Sequence, residues 1–169
     1  MRRWLDRLYD AAGYLAALFL AGTLAMVLTG IAGRLLSFHV PGTDSYAGYC
    51  MAACGFLALA HTLKRGEHIR VSLVLEHAGV RARRGLELWA LAVATVLAGA
   101  FAWYSVRLSL QSWQYSDIST GNDATPLWIP QLAMAAGTLV LFVAFVDELV
   151  LEWRGRRRAE VPSEALHHE

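Results

Sequence analysis

The sequence predicts an all-α membrane protein of four transmembrane helices, and three observations carry that prediction. The 169 residues are 56% hydrophobic and only 17% charged, against roughly 45–50% and about 25% in a soluble domain. Four stretches contain no Asp, Glu, Lys or Arg: Ala11–Gly33, Ser45–Leu63, Leu88–Val106 and Ala124–Val146. The basic residues are sorted between alternate links. A bilayer core about 30 Å thick needs roughly 20 apolar residues at helical rise. Only a helix satisfies its own backbone hydrogen bonds there.

The first span, 11–33, follows a basic start at Arg2-Arg3. It is longer than the roughly 7–15 apolar residues of a cleaved signal peptide, so it is read as a retained helix. The second span, 45–63, carries the two cysteines, Cys50 and Cys54. A polar link 64–87 leads to the third span, 88–106. The next link holds the turn residues Ser119-Thr120-Gly121-Asn122-Asp123. Thr125 is then the expected cap of helix 4, with Pro126 in its first helical position. Pro130 follows early enough that its missing N–H costs little. Residues 1–158 thus form a single four-helix membrane domain, and 159–169 are expected to be a disordered tail.

Orientation follows from counting bases. Arg2, Arg3 and Arg7 precede helix 1, Lys64, Arg65, Arg70, Arg81, Arg83 and Arg84 lie in the middle link, and Arg154, Arg156, Arg157 and Arg158 follow helix 4. Thirteen of the fifteen bases therefore share one side, and only Arg34 and Arg107 lie on the other. Lys and Arg gather on the cytoplasmic side, so both termini and the middle link are expected to be cytoplasmic. Trp4, Trp89 and Trp153 fall near one set of helix ends, and Trp103, Trp113 and Trp128 near the other, as aromatic belts do. The net charge of +1 gives no sign of a nucleic-acid partner.

Candidate chemistry is sparse. An ionisable residue within the bilayer is a functional hypothesis by default, yet Asp44, Glu87, Asp147 and Glu148 all lie at span ends, where anchoring at the interface explains them. His61 sits about one turn inside the end of helix 2; a haem would need a second axial donor at matching depth. Cys50 and Cys54, one turn apart on a single helix, are poorly placed to bridge and read as small packing residues. His167 and His168 in the tail are too few for a metal site. No catalytic, cofactor-binding or metal-binding residue is assigned, and the chain is not expected to be an enzyme.

Two patterns stand out. Ala90, Ala94, Ala98 and Ala102 recur every four residues, with Gly99 beside them. Small residues at this spacing let helix backbones approach closely in lipid. They serve either packing among the four helices or a docking face for a partner subunit. In 68–84, Val71, Val74, Leu75 and Ala78 form an apolar stripe, while Arg70, His77, Arg81 and Arg84 form a basic one. That is a basic amphipathic helix, read as an arm along the membrane surface between helices 2 and 3. Arg70, Arg81 and Arg84 face anionic headgroups of the lipid bilayer in this reading, each contributing about 1 kcal/mol.

The run Lys64-Arg65-Gly66-Glu67-His68-Ile69-Arg70-Val71 resembles the stretch that closes helix 2 in the small membrane subunit, of DctQ type, of TRAP (tripartite ATP-independent periplasmic) transporters. There an Arg-x-Gly-x-His-Ile-x-Val pattern leads into an apolar segment, as Ser72-Leu73-Val74-Leu75 does here. The family often has an acid where this chain has Ser72. Thr125-Pro126-Leu127-Trp128-Ile129-Pro130 is also similar to the family's start of helix 4. The resemblance implies a three-part importer. A periplasmic substrate-binding protein captures an organic acid, and a large TRAP permease subunit carries the substrate and sodium sites and moves the cargo. The small subunit is a fixed scaffold packed against the large one. Arg65, Gly66, His68, Ile69 and Val71 would set the turn into the arm.

The expected function is therefore the accessory permease subunit of a sodium-coupled TRAP importer for a small organic acid, a C4-dicarboxylate or a related carboxylate. Two other readings stand beside it: a membrane anchor of a redox enzyme with His61 on haem, and a homodimeric small exporter.

Overall fold

The computed structural model describes residues 2–38, 40–65, 80–121 and 123–154. Four helices make up nearly all of them: α1 (Arg2–Leu35), α2 (Thr43–Lys64), α3 (Val80–Gln114) and α4 (Trp128–Trp153). All four are long and apolar enough to cross a membrane, as the uncharged stretches predict. α1, α2 and α3 run past those stretches at both ends, whereas α4 starts four residues inside its stretch and runs past only its end. At about 1.5 Å rise per residue, the 34-residue α1 and the 35-residue α3 reach about 50 Å, well beyond a bilayer core of about 30 Å.

The helices stand in a row rather than a closed bundle. α1 packs on α2, α2 on α4, and α4 on α3, while α1 and α4 barely touch. The contacts are built from small side chains. Buried positions include Ala12 and Ala16 on α1, Ala47, Ala53 and Ala60 on α2, Ala98 and Ala102 on α3, and Ala135 and Ala144 on α4. With lipid as apolar as leucine, close backbone approach and dispersion must hold the row together. Gly137 marks the tightest approach: a Cβ there would lie 2.5 Å from the Phe56 carbonyl oxygen. Across the row, Phe56 and Phe101 meet with ring centroids 5.9 Å apart.

Two sequence expectations change. Residues 80–84, read as the end of a surface arm, are the first turns of α3, which runs unbroken from Val80; nothing in Val80–Glu87 interrupts helical hydrogen bonding. Residues 68–79 of the arm and the tail 159–169 lie outside the described residues. Thr125 does not cap α4, which starts at Trp128 after Leu127 with no side-chain cap. Instead Thr125 and Pro126 belong to a small antiparallel clasp. The Ser119 amide donates to the Thr125 carbonyl at 2.8 Å and the Leu127 amide to the Asp117 carbonyl at 2.9 Å, around the Ile118–Pro126 bridge.

α1 and α3 end alike. The Phe38 amide donates to the Gly33 carbonyl at 3.0 Å, and that of Asp117 to the Ser112 carbonyl at 3.0 Å. Ser37 and Ser116 take left-handed conformations at φ 58° and 54°. This is the Schellman closure, which satisfies orphan carbonyls at a helix end.

Candidate functional site

Polar chemistry collects at the two ends of the row. At the end shared by the start of α1 and the finish of α4, Lys64 of α2 joins three helices. Its ammonium lies 2.5 Å from Asp6 of α1 and 3.9 Å from Asp147 of α4. It also stands 4.6 Å from the ring centroid of Tyr9, whose side chain is 1% exposed in the core with Ala60 and Ala144. One turn inside, His61 Nδ1 sits 3.7 Å from the Asp10 carboxylate. The His61 ring also packs against Gly13, where a Cβ would come within 2.9 Å of it. Asp147 is thus part of an interhelical cluster rather than a lone interfacial anchor. The signal for this was in the sequence: Asp10, Lys64 and Asp147 each directly flank an uncharged stretch, and alternation of four spans puts all three at one membrane boundary.

At the opposite end, Asp123 organises the clasp. Its carboxylate accepts from Tyr49 Oη of α2 at 3.1 Å and from Ser119 Oγ at 2.9 Å. The Thr125 hydroxyl, foremost, then those of Ser119 and Tyr49, with Asp123's own amide, hold its carboxyl well below the usual carboxylate range, against a desolvation cost. The Thr125 and Tyr46 hydroxyls also meet at 3.3 Å, and the Gly121 amide donates to Ser119 Oγ at 3.1 Å. Gly42, before α2, has φ 81°, and a Cβ there would come 2.8 Å from Asp123 Cβ. Only glycine meets both demands. One carboxylate therefore ties the α3–α4 loop to α2.

The sequence-predicted residues fall into three groups. Of the motif, Arg65 closes α2, its amide donating to the His61 carbonyl at 3.1 Å; Gly66, His68, Ile69 and Val71 lie outside the described residues. Of the basic stripe, Arg70 lies outside them and Arg81 falls in the first turn of α3. Arg84 reaches the last turn of α4, where its guanidinium donates to the Trp153 carbonyl at 3.4 Å, a favourable position for a cation at a helix C-terminus.

The alanine stripe does not stay on one surface. Ala98 and Ala102 are 6% and 2% exposed, on the side of α3 that packs against α4, where Gly99 abuts the Phe142 ring. Ala94 is half-buried and Ala90 exposed. The lower half of the stripe is internal packing because α3 meets α4 there, and only its start is open. Cys50 and Cys54 are free thiols; the Cys50 sulfur lies 3.4 Å from the position a Gly22 Cβ would take, at the α1–α2 contact. Among the described residues, no three His, Cys, Asp or Glu side chains are grouped as metal ligands.

What the chain offers beyond these ends is surface. Large apolar side chains are exposed along the row, including Leu18, Leu24 and Leu28 on α1, Met51 on α2, Val96 and Leu97 on α3, and Leu132 on α4. On α2, Gly48 and Gly55 have open space where a Cβ would stand. Residues 23–155, most of the chain, match the family described as DctQ: Tripartite ATP-independent periplasmic transporters, DctQ component. Among curated proteins, none matches the chain.

Proposed function

The chain belongs to the DctQ component family of tripartite ATP-independent periplasmic transporters, and from this premise we propose that it is the accessory, scaffold subunit of a sodium-coupled importer for a small organic acid, a C4-dicarboxylate or a related carboxylate. The family is one of transporter components rather than enzymes, and the four helices make the chain a multi-pass membrane protein. In the proposed arrangement it packs against the large permease subunit in the inner membrane, with both termini cytoplasmic and a periplasmic binding protein delivering substrate to the complex.

The observation that carries this reading is the open row. A transporter must enclose a path, and a single row of four helices encloses none; it offers broad apolar faces to be covered. Charge supports the same view, since the acids and bases of the described helices gather at the two ends of the row. The His61 imidazole, wedged against Gly13 and facing Asp10, has an interhelical role that fits a scaffold better than a haem anchor.

The test is purification of the tagged full chain from its native membranes in mild detergent, with partners identified by mass. A larger polytopic chain in stoichiometric amount is expected. Recovery of this chain alone, as a stable homo-oligomer that transports in liposomes, overturns the proposal in favour of an exporter.

A further inference from the structure

Between the end of α1 and the start of α2 lies a cavity of about 300 Å³, bounded by Arg34, Phe38, Val40, Thr43, Asp44 and Ser45. Its size is at the small end for a ligand site and suits a headgroup rather than a whole organic ligand. Its depth is set by the sequence. Arg34 directly follows the first uncharged stretch and Asp44 directly precedes the second, so the cavity opens where the helices leave the hydrocarbon. Beside it, Leu35, Leu36 and Phe38 are exposed, an apolar surface at the depth where acyl chains begin.

The charges in the cavity are opposite and only loosely engaged. Arg34 Nη2 and Asp44 Oδ2 are 3.7 Å apart, with side chains 80% and 90% exposed. That separation exceeds hydrogen-bond length, and an exposed pair of this kind contributes little to stability. Among the described residues neither side chain makes a hydrogen bond. Beside Arg34, the first turn of α2 follows Gly42 with no side-chain cap, leaving backbone N–H groups at the positive end of the helix. Arg34 and those N–H groups thus suit an anion, and Asp44, in the same turn of α2, suits a cation with N–H donors a few ångströms away.

We propose that this cavity holds the headgroup of a zwitterionic phospholipid of the phosphoethanolamine type, the phosphate at Arg34 and the first turn of α2, the ammonium at Asp44. A singly anionic headgroup satisfies Arg34 and leaves Asp44 facing an anion, so the site discriminates against phosphatidylglycerol.

The experiment is native mass spectrometry of the purified full chain, exchanged into detergent with equal phosphatidylethanolamine and phosphatidylglycerol. Wild-type chain is expected to retain one phosphatidylethanolamine. Arg34→Gln and Asp44→Asn each lower that retention about ten-fold, the loss carried by one charge-assisted hydrogen bond. Both side chains are exposed, so the variants fold. Arg107→Gln, which removes the other base of this end, leaves retention unchanged. Equal retention of phosphatidylglycerol, no retained lipid, an undiminished signal in both variants, or an equal loss in Arg107→Gln overturns the proposal. So does displacement of the lipid by soluble glycerophosphoethanolamine at matched concentration, which assigns the site to a soluble zwitterion.

Discussion

Asp123 is the residue on which the loop end depends. Its carboxyl is held ionised by three hydroxyls, so the folded clasp is stabilised wherever Asp123 is charged. With the folded-state pKa depressed, that contribution is complete above the ordinary carboxylate value of about 4 and fades only as pH falls below it. Amide hydrogen exchange across 117–127 is expected to keep the same protection between pH 7 and about pH 4, after correction for intrinsic rates. Asp123→Asn loses protection over that whole range; protection that declines already between pH 7 and 5 contradicts this account. Lys64 plays the corresponding part at the other end. Lys64→Met keeps an apolar stem of similar length but removes the ammonium that stands over Tyr9 and is shared by Asp6 and Asp147. With the pair partly exposed, a cost of about 1–2 kcal/mol is expected, read as a Tm several degrees lower in detergent. Adding Asp147→Asn recovers part of it, and strictly additive losses would show that the two do not interact.

The elements owe their ends and contacts to a few small residues. Ser37 and Ser116 occupy left-handed positions that cost a residue with a Cβ about 1–2 kcal/mol. Replacing either with glycine relieves that strain against glycine's larger unfolded-state entropy. A net gain of about 0.5–1 kcal/mol is expected for each, measured by thermal unfolding. Gly137→Ala has the opposite sign, because its Cβ would strike the Phe56 backbone; parting α2 from α4 costs about 1–3 kcal/mol. Gly55→Ala, with open space around it, leaves the fold intact. The same logic divides the alanine stripe. Ala98→Leu and Ala102→Leu overfill the α3–α4 contact and lower Tm. Ala90→Leu, at an exposed position, spares the folded chain and weakens co-purification with the large subunit in the proposed complex. Loss of co-purification from Ala98→Leu without any change in Tm would reverse that assignment.

For the whole molecule, the row is the decisive feature. Each helix packs closely on at most two neighbours, and α1 and α3 at the margins on one each. Such an arrangement has a small internal core, mostly alanine with Tyr9, Leu57 and Leu141, and a large apolar exterior. The chain is therefore expected to be markedly more heat-stable within its complex than alone, since a partner that binds only the folded form shifts the equilibrium towards it. Comparing Tm of the isolated chain with that of the co-purified assembly checks this, and equal values would remove the scaffold's dependence on its partner.

Fold class, span number and family resemblance were legible in the residues because each rests on local physics. Uncharged runs of bilayer length must be helices, and bases sort by side of the membrane. The short run from Arg65 to Val71 carries the resemblance in its letters alone. Even the pairing of Lys64 with Asp147 was half visible, as two charges flanking spans that end at the same boundary. Neighbour relations were not visible. A periodic stripe such as Ala90–Ala102 says that something packs closely, not whether the partner is α4 or another chain, since lipid, sister helix and foreign helix are equally apolar. Helix ends were also misread where the deciding partner was distant: Thr125 looks like a cap until Tyr46 and Asp123 claim its hydroxyl. The tertiary structure alone decided the open row, the split stripe and the clasp, because each depends on which backbone comes within reach of which.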